Sequence, residues 1–171
     1  MFPVLTGIPW DKQKKASEMA LFLSTYVNKV DKKGRVSVPA PFRAALSAHG
    51  DQSMVLFPSF TNACLEGCDL QRMEQLCAGA DDLAAFSEEQ DELTSLIFAE
   101  AQPLSFDQDG RTMIPAQLME HAGLTTQAAF VGKGRTFQIW QPEAFKAHQS
   151  DLKERALSKR PTLPAAGGRA S

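Results

Sequence analysis

Few residues in this chain stand at a spacing that could carry out chemistry. Cys64 and Cys68 are separated like one half of a metal site, but no second pair or nearby histidine completes a tetrahedral set. Buried thiols are the expected reading, and with Cys77 the odd count gives no disulfide framework and favours a reducing cytoplasm. His49, His121 and His148 lie in three separate segments with no nucleophile elbow, so a catalytic triad is not expected. Gly132-Lys133-Gly134-Arg135 lacks the frame of a phosphate-binding loop and reads as a hairpin. Glu88, Glu89, Asp91 and Glu92 lack the alternating ligands and central glycine of a Ca²⁺ loop and read as a hydrated helix start. No enzyme, no metal and no cofactor is expected.

The basic residues are distributed differently. A net charge of -2 hides a strong asymmetry: residues 19–50 set Lys29, Lys32, Lys33, Arg35 and Arg43 against Asp31 alone. Residues 51–98 then set Arg72 against ten carboxylates, and residues 133–171 turn basic again. Such segregation is worth following, although net charge alone settles nothing. Taken alone, the lysines are better read as a solvated edge that discourages strand aggregation.

A duplication decides how the cluster is read. Residues 31–40 are DKKGRVSVPA and residues 107–116 are DQDGRTMIPA, with five identities at an offset of 76. About 6% chance agreement per position predicts fewer than one. The paired residues are Asp31/Asp107, Gly34/Gly110, Arg35/Arg111, Pro39/Pro115 and Ala40/Ala116. At an offset of 72 the similarity continues weakly, Leu65–Cys68 facing Phe137–Trp140.

These residues need elements to hold them. Short runs, β-branched or aromatic enough to read as strands, flank each turn: Tyr26–Val30 and Val36–Val38 in the first copy, Leu104–Phe106 and Thr112–Ile114 in the second. The aspartate can bond backbone N–H groups ahead of it, and the glycine supplies positive φ. The arginine then sits at a hairpin corner. Pro39 and Pro115 end each second strand, and Pro41 suits a helix start with Phe42, Ala45 and Leu46 on its buried stripe. Each half reads as strand, turn, strand, proline, short helix, strand pair, helix.

Between the halves, Leu70, Met73, Leu76 and Cys77 form one helical stripe. Ser87 with Gln90 resembles a capping box, ahead of Leu93, Leu96 and Ile97 on one side. A final helix starts at Pro142-Glu143 with Phe145, Gln149, Leu152 and Ala156 on one face. Length, at 171 residues, suits one compact domain or two small ones, and no apolar run is long enough to span a membrane. Residues 1–10 lack the basic start and small-residue cleavage pattern of a secretory leader. The first 18 residues lack a period, which leaves both Met1 and Met19 open as the physiological start.

Two D-x-x-G-R…[VI]-P-A units joined by helices, together with His121-Ala122-Gly123-Leu124, resemble the MraZ family over about residues 21–155. The resemblance implies an α+β, mainly β fold of tandem AbrB-like swapped-hairpin β-barrel units with peripheral helices. The expected organisation is an N-terminal extension at 1–20, SpoVT-AbrB-like domains at 25–71 and 101–144, and a helical linker at 72–100. A C-terminal helix at 145–157 and a disordered tail at 158–171 complete it. It further implies a sequence-specific transcriptional regulator of the cytoplasm and nucleoid, without a membrane partner. Ring-like homo-oligomers would engage repeated promoter sites on double-stranded DNA, repressing the division and cell-wall gene cluster to which the gene belongs.

Carried over by residue, the DNA-contacting turn falls on Asp31-Lys32-Lys33-Gly34-Arg35, with Lys29 beside it. Its second copy is Asp107-Gln108-Asp109-Gly110-Arg111, where Arg111 is the corresponding candidate. Asp31, Gly34, Pro39, Asp107, Gly110 and Pro115 take structural roles. Lys29, Lys32 and Lys33 would meet phosphates while Arg35 reads a base edge. Asp109 would repel phosphate beside Arg111, so DNA contact is expected mainly from the first copy. The plainer reading is that each arginine braces its turn against the neighbouring aspartate. AbrB-like folds also serve as antitoxins whose tail wraps a protein partner, but residues 155–171 are short and poor in apolar anchors.

Overall fold

The computed structural model describes residues 20–48, 50 and 52–163. Readings placed on residues 1–18, on His49 and on 164–171 lie outside them. In the first half, β1 (Thr25–Lys29) leads through the turn into β2 (Arg35–Ser37), and Pro39 opens α1 (Ala40–Ser47). β3 (Ser53–Pro58), β4 (Leu65–Cys68) and α2 (Leu70–Asp81) follow. The second half repeats the order as β5 (Gln102–Ser105), β6 (Arg111–Met113), α4 (Ala116–His121), β7 (Gln127–Gly132), β8 (Phe137–Trp140) and α5 (Pro142–Lys159). Between them lies α3 (Glu88–Thr94), continuing into a π-helical turn at Ser95–Ala99. The expected succession of elements is present in both copies.

The halves interleave. All six strands of the larger sheet are antiparallel, in the order β1-β7-β8-β4-β3-β5, and β2 pairs with β6 in a separate two-stranded ribbon. Each half therefore completes its sheet with strands from the other. The register shows why a duplicated sequence can do this. Val36 faces Thr112 and Glu66 faces Gln138, and each pair consists of equivalent residues of the two copies. A pseudo-two-fold relation passes through both points, so one set of side-chain preferences satisfies both sides of each ladder.

Gln138, almost fully buried beside this relation, has both ends of its amide occupied. Its Nε2 donates to Glu66 Oε1 at 2.9 Å and its Oε1 accepts from Trp140 Nε1 at 2.9 Å. A buried amide without partners would be costly.

The main core gathers around α1, whose buried residues are Phe42, Ala45 and Leu46, as the spacing predicts. Phe42 meets four aromatic rings, those of Phe22, Tyr26, Phe130 and Phe137. Phe137 lies where a Cβ on Gly67 would have to be, so the glycine in β4 is the space for that ring. Edge-to-face contacts of this kind add to the burial of area alone.

Several expectations change at the periphery. Strands build the core, yet among the described residues the helices hold more positions than the strands, so the fold is α+β without being mainly β by residue count. The reason is length: β2 and β6 span three residues each, whereas α5 alone spans 18. Leu96 is exposed, and Phe98 packs with Ile97 against Val55 and Phe57 instead. A π-turn holds more residues per turn than an α-helix, which shifts the buried face forward along the chain. Ser87 caps Gln90 as expected, but Gln90 Oε1 accepts from Phe86 N rather than closing back on Ser87. In α2, Met73 and Leu76 pack while Leu70 and Cys77 are exposed. In α5, Phe145, His148 and Leu152 face the sheet, whereas Gln149 and Ala156 are exposed. The helix continues through Lys159, and Arg160 ends it in a left-handed conformation.

Candidate nucleic-acid interface

The two D-x-x-G-R turns have nearly the same geometry. In the first, Asp31 N donates to Arg35 O at 3.0 Å and Gly34 N to Asp31 O at 3.0 Å. Asp31 Oδ1 accepts from the backbone N–H of Lys33 at 2.8 Å and of Arg35 at 2.9 Å. In the second, Asp107 Oδ1 accepts from Asp109 N at 2.9 Å and Arg111 N at 3.0 Å. Gly34 and Gly110 adopt φ of +84° and +73°, a region that L side chains rarely occupy. The motif thus specifies a self-bonded loop in which aspartate and glycine are both mechanical.

The turns are also locked to each other. Val38 N donates to Gly110 O at 2.9 Å and Ile114 N to Gly34 O at 3.0 Å, a reciprocal pair of bonds between the copies. A corner of paired strands is expected, but the two strands share one backbone bridge, Val30 to Val36, and a bond from Asn28 Nδ2 to Ser37 O at 2.6 Å, and otherwise take different partners. β1 leaves to pair with β7, and β2 with β6.

This exchange builds a surface. Along the β2–β6 ribbon, Val36 and Thr112 face the core, so alternation turns Arg35, Ser37, Arg111 and Met113 to the outside. Arg35 lies opposite Met113 and Ser37 opposite Arg111. Both arginines of the duplicated motif therefore share one face, with a turn at either end. Lys32 and Lys33 are exposed at one of these turns, and Gln108 and Asp109 are exposed at the other. Lys29 is exposed at the end of β1, opposite Gln127. Pro39 and Pro115 occupy the N-cap positions of α1 and α4.

Sequence reasoning missed Ser37 and Met113 as members of this face, and Arg43 beside it. Alternation along each strand was the available signal for Ser37 and Met113, but that Val36 lies opposite Thr112 is known only from the register. The remaining candidates stay apart from the ribbon. His121 Nε2 lies 3.1 Å from Ser59 O, and His148 stacks on Trp140 with centroids 4.6 Å apart. Burial pushes the thiols of Cys64 and Cys68 up to about 12, so neither is a nucleophile near neutral pH.

Both arginines brace their turns. Arg35 Nε donates to Asp31 Oδ2 at 2.6 Å, and Arg111 pairs with Asp107 at 3.7 Å and with Asp109 at 3.0 Å. The brace on Arg35 uses Nε, and the guanidinium carries four further N–H donors on its two Nη atoms. Bonds donated by the following backbone, Arg35 N above all, hold the Asp31 carboxyl below its ordinary value. Arg111 N does the same for Asp107. A lowered carboxyl stabilises the folded turn above its unfolded value, and that contribution disappears as pH falls through the folded one. A carboxyl-detected NMR titration is therefore expected to show both midpoints below about 3.9, the value of a free aspartate. Midpoints at or above that value would contradict the turn geometry.

An α+β protein built from two interlocked copies of a turn–strand–helix unit, with paired arginines on one outer ribbon, defines the class. The family model described as "MraZ protein, putative antitoxin-like" matches residues 21–95 and 97–162, and the chain belongs to the MraZ family. It is similar to proteins named transcriptional regulator MraZ from Rickettsia canadensis (strain McKiel) and Rickettsia akari (strain Hartford). Each is 47% identical over 145 residues, covering 85% of this chain and 97% of the relative. The corresponding protein of Rickettsia bellii (strain OSU 85-389) is 45% identical over 146 residues.

Proposed function

We propose that this protein is a sequence-specific, DNA-binding transcriptional regulator whose reading surface is the β2–β6 ribbon with its two flanking turns. The observation that carries the reading is the juxtaposition of Arg35 and Arg111 on one exposed, two-stranded face. Two-stranded ribbons fit the major groove, where arginine can bond guanine O6 and N7 through paired donors. Lys29, Lys32 and Lys33 would meet phosphates alongside, giving affinity that falls with salt. The relatives' name, transcriptional regulator, supports this reading.

In the same reading, the exchanged strands form the swapped-hairpin barrel units of tandem AbrB-like domains, at 25–71 and 101–144. Copies of the chain assemble as a ring, so that several ribbons meet several promoter repeats and repress the protein's own gene cluster at the nucleoid. One ribbon offers few contacts, and the ring supplies the rest through effective concentration.

The test is fluorescence anisotropy with duplex DNA from upstream of this protein's own gene, beside a scrambled duplex, at two salt concentrations. Preferential binding that weakens at the higher salt is the expected result. Equal binding to both duplexes, or none, overturns it. A stoichiometric small protein recovered with the chain would then favour the antitoxin-like interaction module.

A further inference from the structure

The second turn lost both lysines of the first, carrying Gln108 and Asp109 where the first has Lys32 and Lys33. On sequence alone it looks electrostatically unfit for DNA. The fold brings it a cation from elsewhere. Arg43, on α1 of the first half, lays its guanidinium over Gly110: a Cβ built on that glycine would lie 2.5 Å from Arg43 Nε and 2.6 Å from Nη1. Arg43 Nε donates to Val38 O at 3.1 Å, and Val38 N in turn donates to Gly110 O. The guanidinium is thus held half-buried on the turn, beside an open groove of about 410 Å³ whose lining includes Asp107, Gln108 and Ser47.

The equivalent position in the other copy sharpens the point. At the offset of 76, Arg43 corresponds to Met119, and Met119 Sδ covers Gly34 as the Arg43 guanidinium covers Gly110. A methionine therefore suffices to pack such a turn. The first turn has a packing methionine and its own lysines, whereas the second has no lysine and an arginine as its packing residue. Packing such a turn therefore does not itself require a charge, and the one use of Arg43 seen among the described residues besides packing is the Nε bond to Val38 O.

We infer that Arg43 is the phosphate-contacting cation of the second turn, making the DNA surface composite between the two halves of the chain. The inference rests on the DNA-binding reading above and adds a residue and a half of the surface to it. An arginine held at a fixed point beside the groove would orient a phosphate of the duplex backbone, while Asp109 keeps phosphates away from its own side of the turn.

The test compares wild type, Arg43→Met and Arg43→Lys by anisotropy titration against the same upstream duplex over a series of salt concentrations. Arg43→Met keeps the kind of packing present at Gly34 and gives up the Nε bond to Val38 O, so its thermal unfolding midpoint is expected to fall by no more than about 2–4 °C. Loss of one phosphate contact lowers the slope of log affinity against log salt by about one, which amounts to roughly eightfold weaker binding at 0.1 M salt. Arg43→Lys is expected to keep the wild-type slope. An Arg43→Met protein that binds with wild-type affinity and slope overturns the inference. So does one that loses affinity with an unchanged slope, because that is the mark of a packing role. If wild type itself shows no binding, it is the DNA-binding reading that fails.

Discussion

Replacing Phe42 with alanine is expected to destabilise the protein by about 3–5 kcal/mol, the range for a large aromatic removed from a packed core. Phe42 has no exposed surface and its ring lies 5.3 Å from Phe22, 5.7 Å from Tyr26, 6.2 Å from Phe130 and 5.4 Å from Phe137. Those rings come from both halves of the chain, and Phe137 is already confined against Gly67. The surroundings therefore have little freedom to collapse into the space left behind. For a chain of this size each kcal/mol lowers the unfolding midpoint by about 2–4 °C, so the expected drop is roughly 6–20 °C. Differential scanning calorimetry measures it directly. A fall of under about 3 °C would mean that the ring cluster does not hold the two halves together.

The second large effect concerns valency. If copies assemble as the proposed ring, it should bind a duplex containing several of the proposed promoter repeats about 10²- to 10⁴-fold more tightly than a duplex containing one. The expectation follows from the small size of a single ribbon, whose strands are three residues long. Titrating single-repeat and multiple-repeat duplexes at one salt concentration gives the ratio. Equal affinities would remove multivalency from the mechanism, leaving each ribbon to act alone.

The duplicated turn was legible because its parts are local. Aspartate, glycine and arginine at fixed spacing specify bonds within five residues, and those bonds recur in both copies. The same holds for α1, whose buried stripe depends only on helical period. What joins the copies is not local. Nothing in Tyr26–Val30 indicates that β1 pairs with Phe130 and Val131 rather than with its own neighbour β2. The exchange depends on pairings between residues about 100 positions apart, which no local pattern specifies.

The candidate site divides in the same way. Arg35 and Arg111 were visible as repeat members, and their mutual placement across the ribbon came only with the register. Arg43 gave no motif signal at all, because its partner Gly110 lies 67 residues further along the chain. The π-turn at Ser95–Ala99 is invisible to a helical period and displaced Leu96 from the face expected for it.

The central claim is that Arg35 reads DNA as well as bracing its turn. The most direct measurement is anisotropy binding of wild type and Arg35→Ala to the upstream and scrambled duplexes at two salt concentrations. A bidentate contact to one base discriminates by about 1–3 kcal/mol, so Arg35→Ala should lose roughly 5- to 150-fold of the preference for the upstream duplex. Non-specific binding through the lysines should survive at the lower salt. If Arg35→Ala and wild type show the same preference, Arg35 is a brace for Asp31 only and the base-reading surface lies elsewhere.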